Sequence, residues 1–153
     1  MRKITGYSAD RELAFLLVDA GRKLNDAYDV RMKPLGLTRS QWRVVAYVSR
    51  TPGITQTQLA ENVELSRMAI TGLLDRMQAK GLIARRAASD DRRIKTVHLT
   101  RKSKALVSRM NETAAEVLEG IFAGLSATEK ARLRKILDTV KGNAADMEIR
   151  ATT

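Results

Sequence analysis

The tightest constraint on this chain is a run of three punctuated segments between residues 55 and 99. Thr55-Gln56-Thr57-Gln58 has the form of a capping box, in which the threonine hydroxyl accepts from a first-turn amide and the second glutamine reaches back. Leu59, Ala60 and Val63 follow at helical spacing and give a helix of barely two turns. Glu64-Leu65-Ser66 is then a short connector whose serine caps a longer helix carrying Ile70, Leu73, Leu74 and Met77 inward, stopped by Gly81. Two helices joined by so tight a turn predict a helix-turn-helix. After it the periodicity changes. Leu82–Arg86 and Ile94–Leu99 are short, the second is rich in β-branched residues, and they flank the polar turn Ala88–Arg93, which predicts a β-hairpin wing.

Helical spacing also surrounds this block. Leu13, Leu16, Leu17, Ala20, Leu24, Ala27 and Tyr28 predict a helix over 10–32, closed by Pro34 and Gly36. Thr38-Arg39-Ser40-Gln41 repeats the capping box ahead of Trp42, Val45 and Val48, in a helix ending near Arg50. Beyond the wing, Ala105 to Leu125 predict a long amphipathic helix over 101–124, and Ser126-Ala127-Thr128-Glu129 heads a last helix over 127–150. The expected fold is mainly α with a small β-wing, in a single domain over 1–153. A 153-residue chain that is 44% hydrophobic can fill such a core.

Composition narrows the chemistry. With no Cys there is no disulfide, thiolate nucleophile or thiol switch, and one His leaves no His-rich metal cage, so no metal and no cofactor are expected. No phosphate loop, nucleophile elbow or spaced carboxylate pair stands in a suitable context, so catalysis is not expected. The longest apolar run near the N-terminus, Leu13–Val18, is too short for a membrane span or a secretory signal; a cytoplasmic protein with no membrane partner is expected. The net charge of +11 favours a polyanion.

That charge is local. Arg85, Arg86, Arg92, Arg93, Lys95, Arg101, Lys102 and Lys104 stand against Asp90 and Asp91 alone, a surplus of six within twenty residues. A charge run is often no more than a solvated face. A hairpin directly after a helix-turn-helix, however, lies beside the groove that the second helix enters, so a tip carrying Arg92 and Arg93 reaches the narrow minor groove of duplex DNA. The aspartates either pair with a neighbouring guanidinium and fix its direction, or form an ordinary polar turn.

Leu65-Ser66-Arg67, Leu74-Asp75-Arg76-Met77, Lys80-Gly81-Leu82-Ile83, Arg85, Ser89-Asp90-Asp91-Arg92-Arg93-Ile94-Lys95 and Leu99-Thr100 together resemble the winged-helix signature of the MarR (multiple antibiotic resistance regulator) family. Met32-Lys33-Pro34-Leu35-Gly36-Leu37-Thr38, followed by Gln41-Trp42, is similar to its SlyA-like branch. The resemblance covers nearly the whole chain. It implies a winged helix-turn-helix core over 38–100 between dimerisation helices at 10–34 and 101–150. It implies a homodimer that binds a pseudo-palindromic operator in double-stranded DNA, as a ligand-relieved repressor of transcription. The residues alone reach the dimer more weakly. Helix one and the last two segments carry more apolar surface than a small winged helix needs, which suits burial across a two-fold axis or a monomeric helical cap.

On the recognition helix, Ser66, Arg67, Met68, Thr71 and Gly72 take the outward, N-terminal side. Arg67 takes a guanine edge or a phosphate, and Thr71 a base or a thymine methyl. Relatives often carry a polar reader where this chain has Gly72, a glycine that costs about 1 kcal/mol against alanine in a helix. Thr55, Gln56 and Thr57, with Ser40 or Arg39, either contact phosphates or simply cap their helices. With Asp91, Arg92, Arg93 and Lys95 of the wing these complete the expected DNA contacts. The family resemblance further implies a small-molecule effector, an aromatic carboxylate or its thioester, in a cleft beside the dimer helices. Arg22 and Arg43 would hold its carboxylate and Trp42 would wall its ring, unless Trp42 is core and the arginines face solvent or DNA. A low-specificity, nucleoid-type DNA-binding protein without effector explains the charge equally well.

Overall fold

The computed structural model describes Ser8–Ala151, with side chains to Met147. The elements are α1 (Ala9–Met32), α2 (Arg39–Arg50), α3 (Gln56–Val63), α4 (Arg67–Ala79), β1 (Ile83–Ala87), β2 (Lys95–Leu99), α5 (Lys104–Ile121) and α6 (Ala127–Ala151), with short 3-10 turns at Lys33–Leu35 and Arg101–Ser103. They divide into two compact units, one up to Val117 and one from Leu118.

The four helix starts at which the sequence predicts a cap form by the expected bonds. Thr38 accepts from the Gln41 amide while the Gln41 side chain accepts from the Thr38 amide, and Thr55 and Gln58 do the same at the head of α3. Ser66 accepts from the Ala69 amide and opens α4. In the second unit Glu129 accepts from the Ser126 amide at 2.8 Å and from its hydroxyl at 2.7 Å, bonds that hold the Glu129 carboxyl below its usual range.

The core of the first unit lies between α2, α3, α4 and the hairpin. Val44, Val45, Leu59, Ile70, Leu74, Met77, Ile83 and Val97 are almost wholly buried, each worth about 1.5–3 kcal/mol for the larger side chains, and Met32, Trp42 and Met110 close the cluster. Strands β1 and β2 pair antiparallel from Ile83 opposite Leu99 to Ala87 opposite Lys95. The hairpin is tied along the middle of β2 to the segment that leads into α3, where the Val97 amide donates to the Ile54 carbonyl at 2.9 Å and Thr55 bridges Thr96. That third edge was not foreseen, because one bridging residue leaves no alternation to read.

The segment after the wing departs from expectation. The helix does not begin at 101: Thr100 donates its hydroxyl to the Gly81 carbonyl at 2.6 Å, Arg101–Ser103 wind as a 3-10 turn, and α5 starts at Lys104. Ser103 is fully buried and satisfied by the Thr100 carbonyl at 2.8 Å, so burial of one hydroxyl sets the tighter turn. At its other end α5 stops at Ile121 rather than 124, and Gly124 has a φ of 81°.

Candidate nucleic-acid interface

Three elements meet in an open groove of about 510 Å³. The head of α3 contributes Thr55, Gln56 and Thr57, the first two turns of α4 contribute Arg67, Ile70 and Thr71, and the wing contributes Arg93, Ile94 and Lys95. Seven residues singled out in the sequence therefore line one surface. Its lining holds three cations and no carboxylate, so it is an anion-attracting concavity. Of the remaining candidates, Ser66 is spent as the α4 cap, while Met68 stands 86% exposed on the same end of α4.

Hydrogen bonds sharpen the roles. Thr55 caps α3, as the simpler reading had it. Gln56 Nε2 donates to Thr71 Oγ1 at 2.8 Å, and Thr71 in turn donates to the Arg67 carbonyl at 2.8 Å. The first bond pins α3 to α4 across the turn, and the second, within α4, orients the Thr71 hydroxyl to accept it. At the wing tip the Arg93 guanidinium donates to both carboxylate oxygens of Asp91, Nε to Oδ1 and Nη2 to Oδ2 at 3.1 Å each, and its backbone amide donates to Oδ1 at 2.9 Å. Asp91 thus fixes the direction of Arg93, whose side chain remains 90% exposed, and Arg93 holds the Asp91 carboxyl below its usual range. Arg92 is exposed beside it, and Asp90 accepts from the Ser89 hydroxyl at 2.7 Å.

The wing is braced by a residue that stood in the sequence as charge and as part of the family signature, with no partner assigned. Arg85 on β1 reaches back to the carboxylate of Asp75 and, at 2.9 Å, to Gln78 Oε1, both on α4. The signal was present: Asp75 and Gln78 are three apart on the polar face of a helix, facing the arginine of the strand that follows.

The residues expected to hold an effector do not come together. Arg43 turns to the C-terminus of α3, donating to the carbonyls of Asn62 at 2.7 Å and Val63 at 3.2 Å and to Glu64 Oε1 at 2.9 Å. It acts as a cap supplied from α2, at a connector where Glu64 adopts a φ of 58° without being glycine. Arg22 pairs with Asp19 at 3.1 Å and Asp26 at 3.8 Å on the exposed side of α1. Arg39, a candidate phosphate donor, instead binds Asp26 and Asp29. Trp42 is core, only 7% exposed, with its ring 5.1 Å from Tyr28 and its Nε1 donating to Asp29 Oδ1 at 2.8 Å. Partial burial opposes the Asp29 charge, but the bonds from Arg39 and Trp42 outweigh it and leave the carboxyl below its usual range. Beside Trp42 lies a cavity of about 80 Å³, walled by Tyr28, Met32, Met110 and Asn111 among others, with neither Arg22 nor Arg43 in its lining. No helix among the described residues is long and apolar enough to cross a membrane, and no cluster there is fit to hold a metal ion.

This geometry has close counterparts. A sequence profile described as "MarR family" matches residues 35–94, the helix-turn-helix and most of the wing. The crystal structure of transcriptional regulator PA3341 is similar at 29% identity and a TM-score of 0.80, covering 88% of this chain and 98% of that one. A mutant MarR from E. coli, solved in complex with operator DNA, is similar at 25% identity and a TM-score of 0.69, over 84% of this chain and 93% of that one. BpsR of Bordetella bronchiseptica, whose DNA binding is described as regulated by 6-hydroxynicotinic acid, shares the fold at 21% identity and a TM-score of 0.70, over 90% of this chain and 98% of that one. Proteins of this family are transcriptional regulators, not enzymes. Residues 35–94 thus match the MarR-family profile, and the chain has the winged-helix fold of the transcriptional regulators it is similar to.

Proposed function

We propose that this protein is a cytoplasmic, sequence-specific DNA-binding regulator, a repressor that grips a pseudo-palindromic operator as a homodimer. In each protomer α4 enters the major groove and the Arg92–Arg93 tip enters the adjacent minor groove. The observation that carries this reading is the carboxylate-free groove, in which Arg67, Arg93 and Lys95 from two different elements face one concavity headed by α3. Met32–Thr38 and Gln41-Trp42 favour the SlyA-like branch.

The dimer would be built from the helices at 10–34 and 101–150. In the first unit Leu13, Leu16 and Leu17 form an exposed stripe on α1, and in the second Ile136, Leu137 and Val140 do so on α6, apolar surface that a second copy would cover. Two-fold symmetry then sets the recognition helices one turn of DNA apart, ~34 to 36 Å, or a multiple of it. Release by a small aromatic acid or its thioester is the regulatory half of the proposal. It rests on the likeness to BpsR and on the cavity beside Trp42. At about 80 Å³ that cavity is smaller than the ~300–1,000 Å³ of small-molecule sites, so a ligand there would have to part the rings of Tyr28 and Trp42.

One observation favours a second reading, a low-specificity nucleoid-type protein: with Thr71 bonded internally and Gly72 bare, α4 offers few donors to base edges. Selection of duplexes from a random pool separates the two. A regulator enriches one sequence and binds it ~10³-fold or more tighter than random DNA. A flat pool with equal affinities contradicts it.

A further inference from the structure

Apart from the Arg67 guanidinium, the outward side of the first two turns of α4 is short of free hydrogen-bond donors and rich in apolar surface. Met68 is 86% exposed there. The Thr71 hydroxyl gives its proton to the Arg67 carbonyl and accepts from Gln56, both at 2.8 Å, so the group left for a ligand is chiefly its methyl. A Cβ on Gly72 would meet only the tip of Arg76, at 3.6 Å. No packing inside the protein demands that glycine; what it provides is bare helix backbone on an open face, where another molecule can come close.

A thioether, a methyl and a bare Cα offer no donor to the ring nitrogens or carbonyl oxygens of base edges and at most a weak sulfur acceptor to their amino groups. They match the one apolar feature of the major groove, the C5-methyl of thymine. Resting on the DNA-binding reading above, we propose that Met68 and Thr71 are specificity-determining residues that read thymine methyl groups, with Gly72 admitting the duplex closely enough for both to touch it. The exposed Arg67 guanidinium is then the polar reader of the same half-site.

The test uses the full-length protein and a duplex selected with it from a random pool, resynthesised with deoxyuridine for thymidine one position at a time, which deletes only the methyl. Burying one such group is worth about fourfold in affinity, so uracil is expected to weaken binding by about that factor at two or more positions of a half-site. Met68→Ala should abolish the sensitivity at one of them. Thr71→Ser, which keeps the hydroxyl and its bonds, should abolish it at another. Far-ultraviolet circular dichroism and urea melts that match the wild type report that the variants are folded. Wild-type binding indifferent to uracil at every half-site position would overturn the proposal, as would variants that keep the full wild-type sensitivity. A pool that enriches no sequence would overturn the sequence-specific reading itself, and this inference with it.

Discussion

Replacing Arg43 with methionine keeps an aliphatic stem against the core and deletes the guanidinium that caps α3. In the wild type this side chain is 14% exposed and makes three bonds, to the Asn62 carbonyl at 2.7 Å, the Val63 carbonyl at 3.2 Å and Glu64 Oε1 at 2.9 Å. The three are not equal. Glu64 is 80% exposed, so its ion pair is screened and contributes no more than about 0.5 kcal/mol. The Asn62 carbonyl, in an exposed bond, regains water, whereas the partly buried Val63 carbonyl loses a charged donor, a bond worth about 1.5–3 kcal/mol. The expected loss is therefore about 2–3 kcal/mol, or a fall in Tm of about 4–12 °C for a chain of this size. Glu64 holds a left-handed φ of 58°, which costs a non-glycine residue about 1–2 kcal/mol. Glu64→Gly added to Arg43→Met should then restore about 1 kcal/mol. Urea melts at constant m-value measure both quantities. A loss below about 0.5 kcal/mol, or a double variant no more stable than Arg43→Met alone, would refute the reasoning.

Arg93→Ala should weaken binding to all duplexes alike and reduce the salt slope by up to ~0.9 if one phosphate contact is lost; an unchanged slope would take the wing tip off the DNA. Asp29 has a depressed carboxyl pKa, so its contribution to stability is complete above its unfolded value of about 3.9 and is lost as pH falls through the folded value. The stability difference between wild type and Asp29→Asn should accordingly be constant above about pH 5 and shrink in acid, and a difference that does not change between pH 6 and 3 would contradict it. Ending the chain before Ser126 removes α6 and should yield a monomer in sedimentation that no longer binds a palindromic duplex tightly. A truncated chain that still dimerises with full affinity would show that α6 is dispensable.

What the sequence disclosed was local. Thr38 with Gln41 and Thr55 with Gln58 announce α2 and α3 because a capping box closes within four residues, and the β-branched Ile94, Thr96 and Val97 after a polar turn mark β2. The wing arginine and its aspartate are two residues apart, so their pairing was also within reach. What escaped was carried by long side chains acting across the fold. Arg43 binds residues about twenty positions away, Arg85 finds Asp75 on the preceding helix, and Trp42 finds Asp29 on α1. An arginine can reach any of several partners, and spacing alone does not choose among them. The 3-10 turn at Arg101–Ser103 was hidden for a related reason: it follows from burial of the Ser103 hydroxyl, a tertiary event.

Methylation interference on a selected duplex tests most directly whether paired helices and wings clasp DNA. Methyl groups placed at guanine N7 obstruct the major groove and those at adenine N3 the minor groove. The expected pattern is two blocks of guanine interference ~10–10.5 base pairs apart or a multiple of it, each flanked on its outer side by adenine interference. A single block, or interference confined to one groove, would contradict the account.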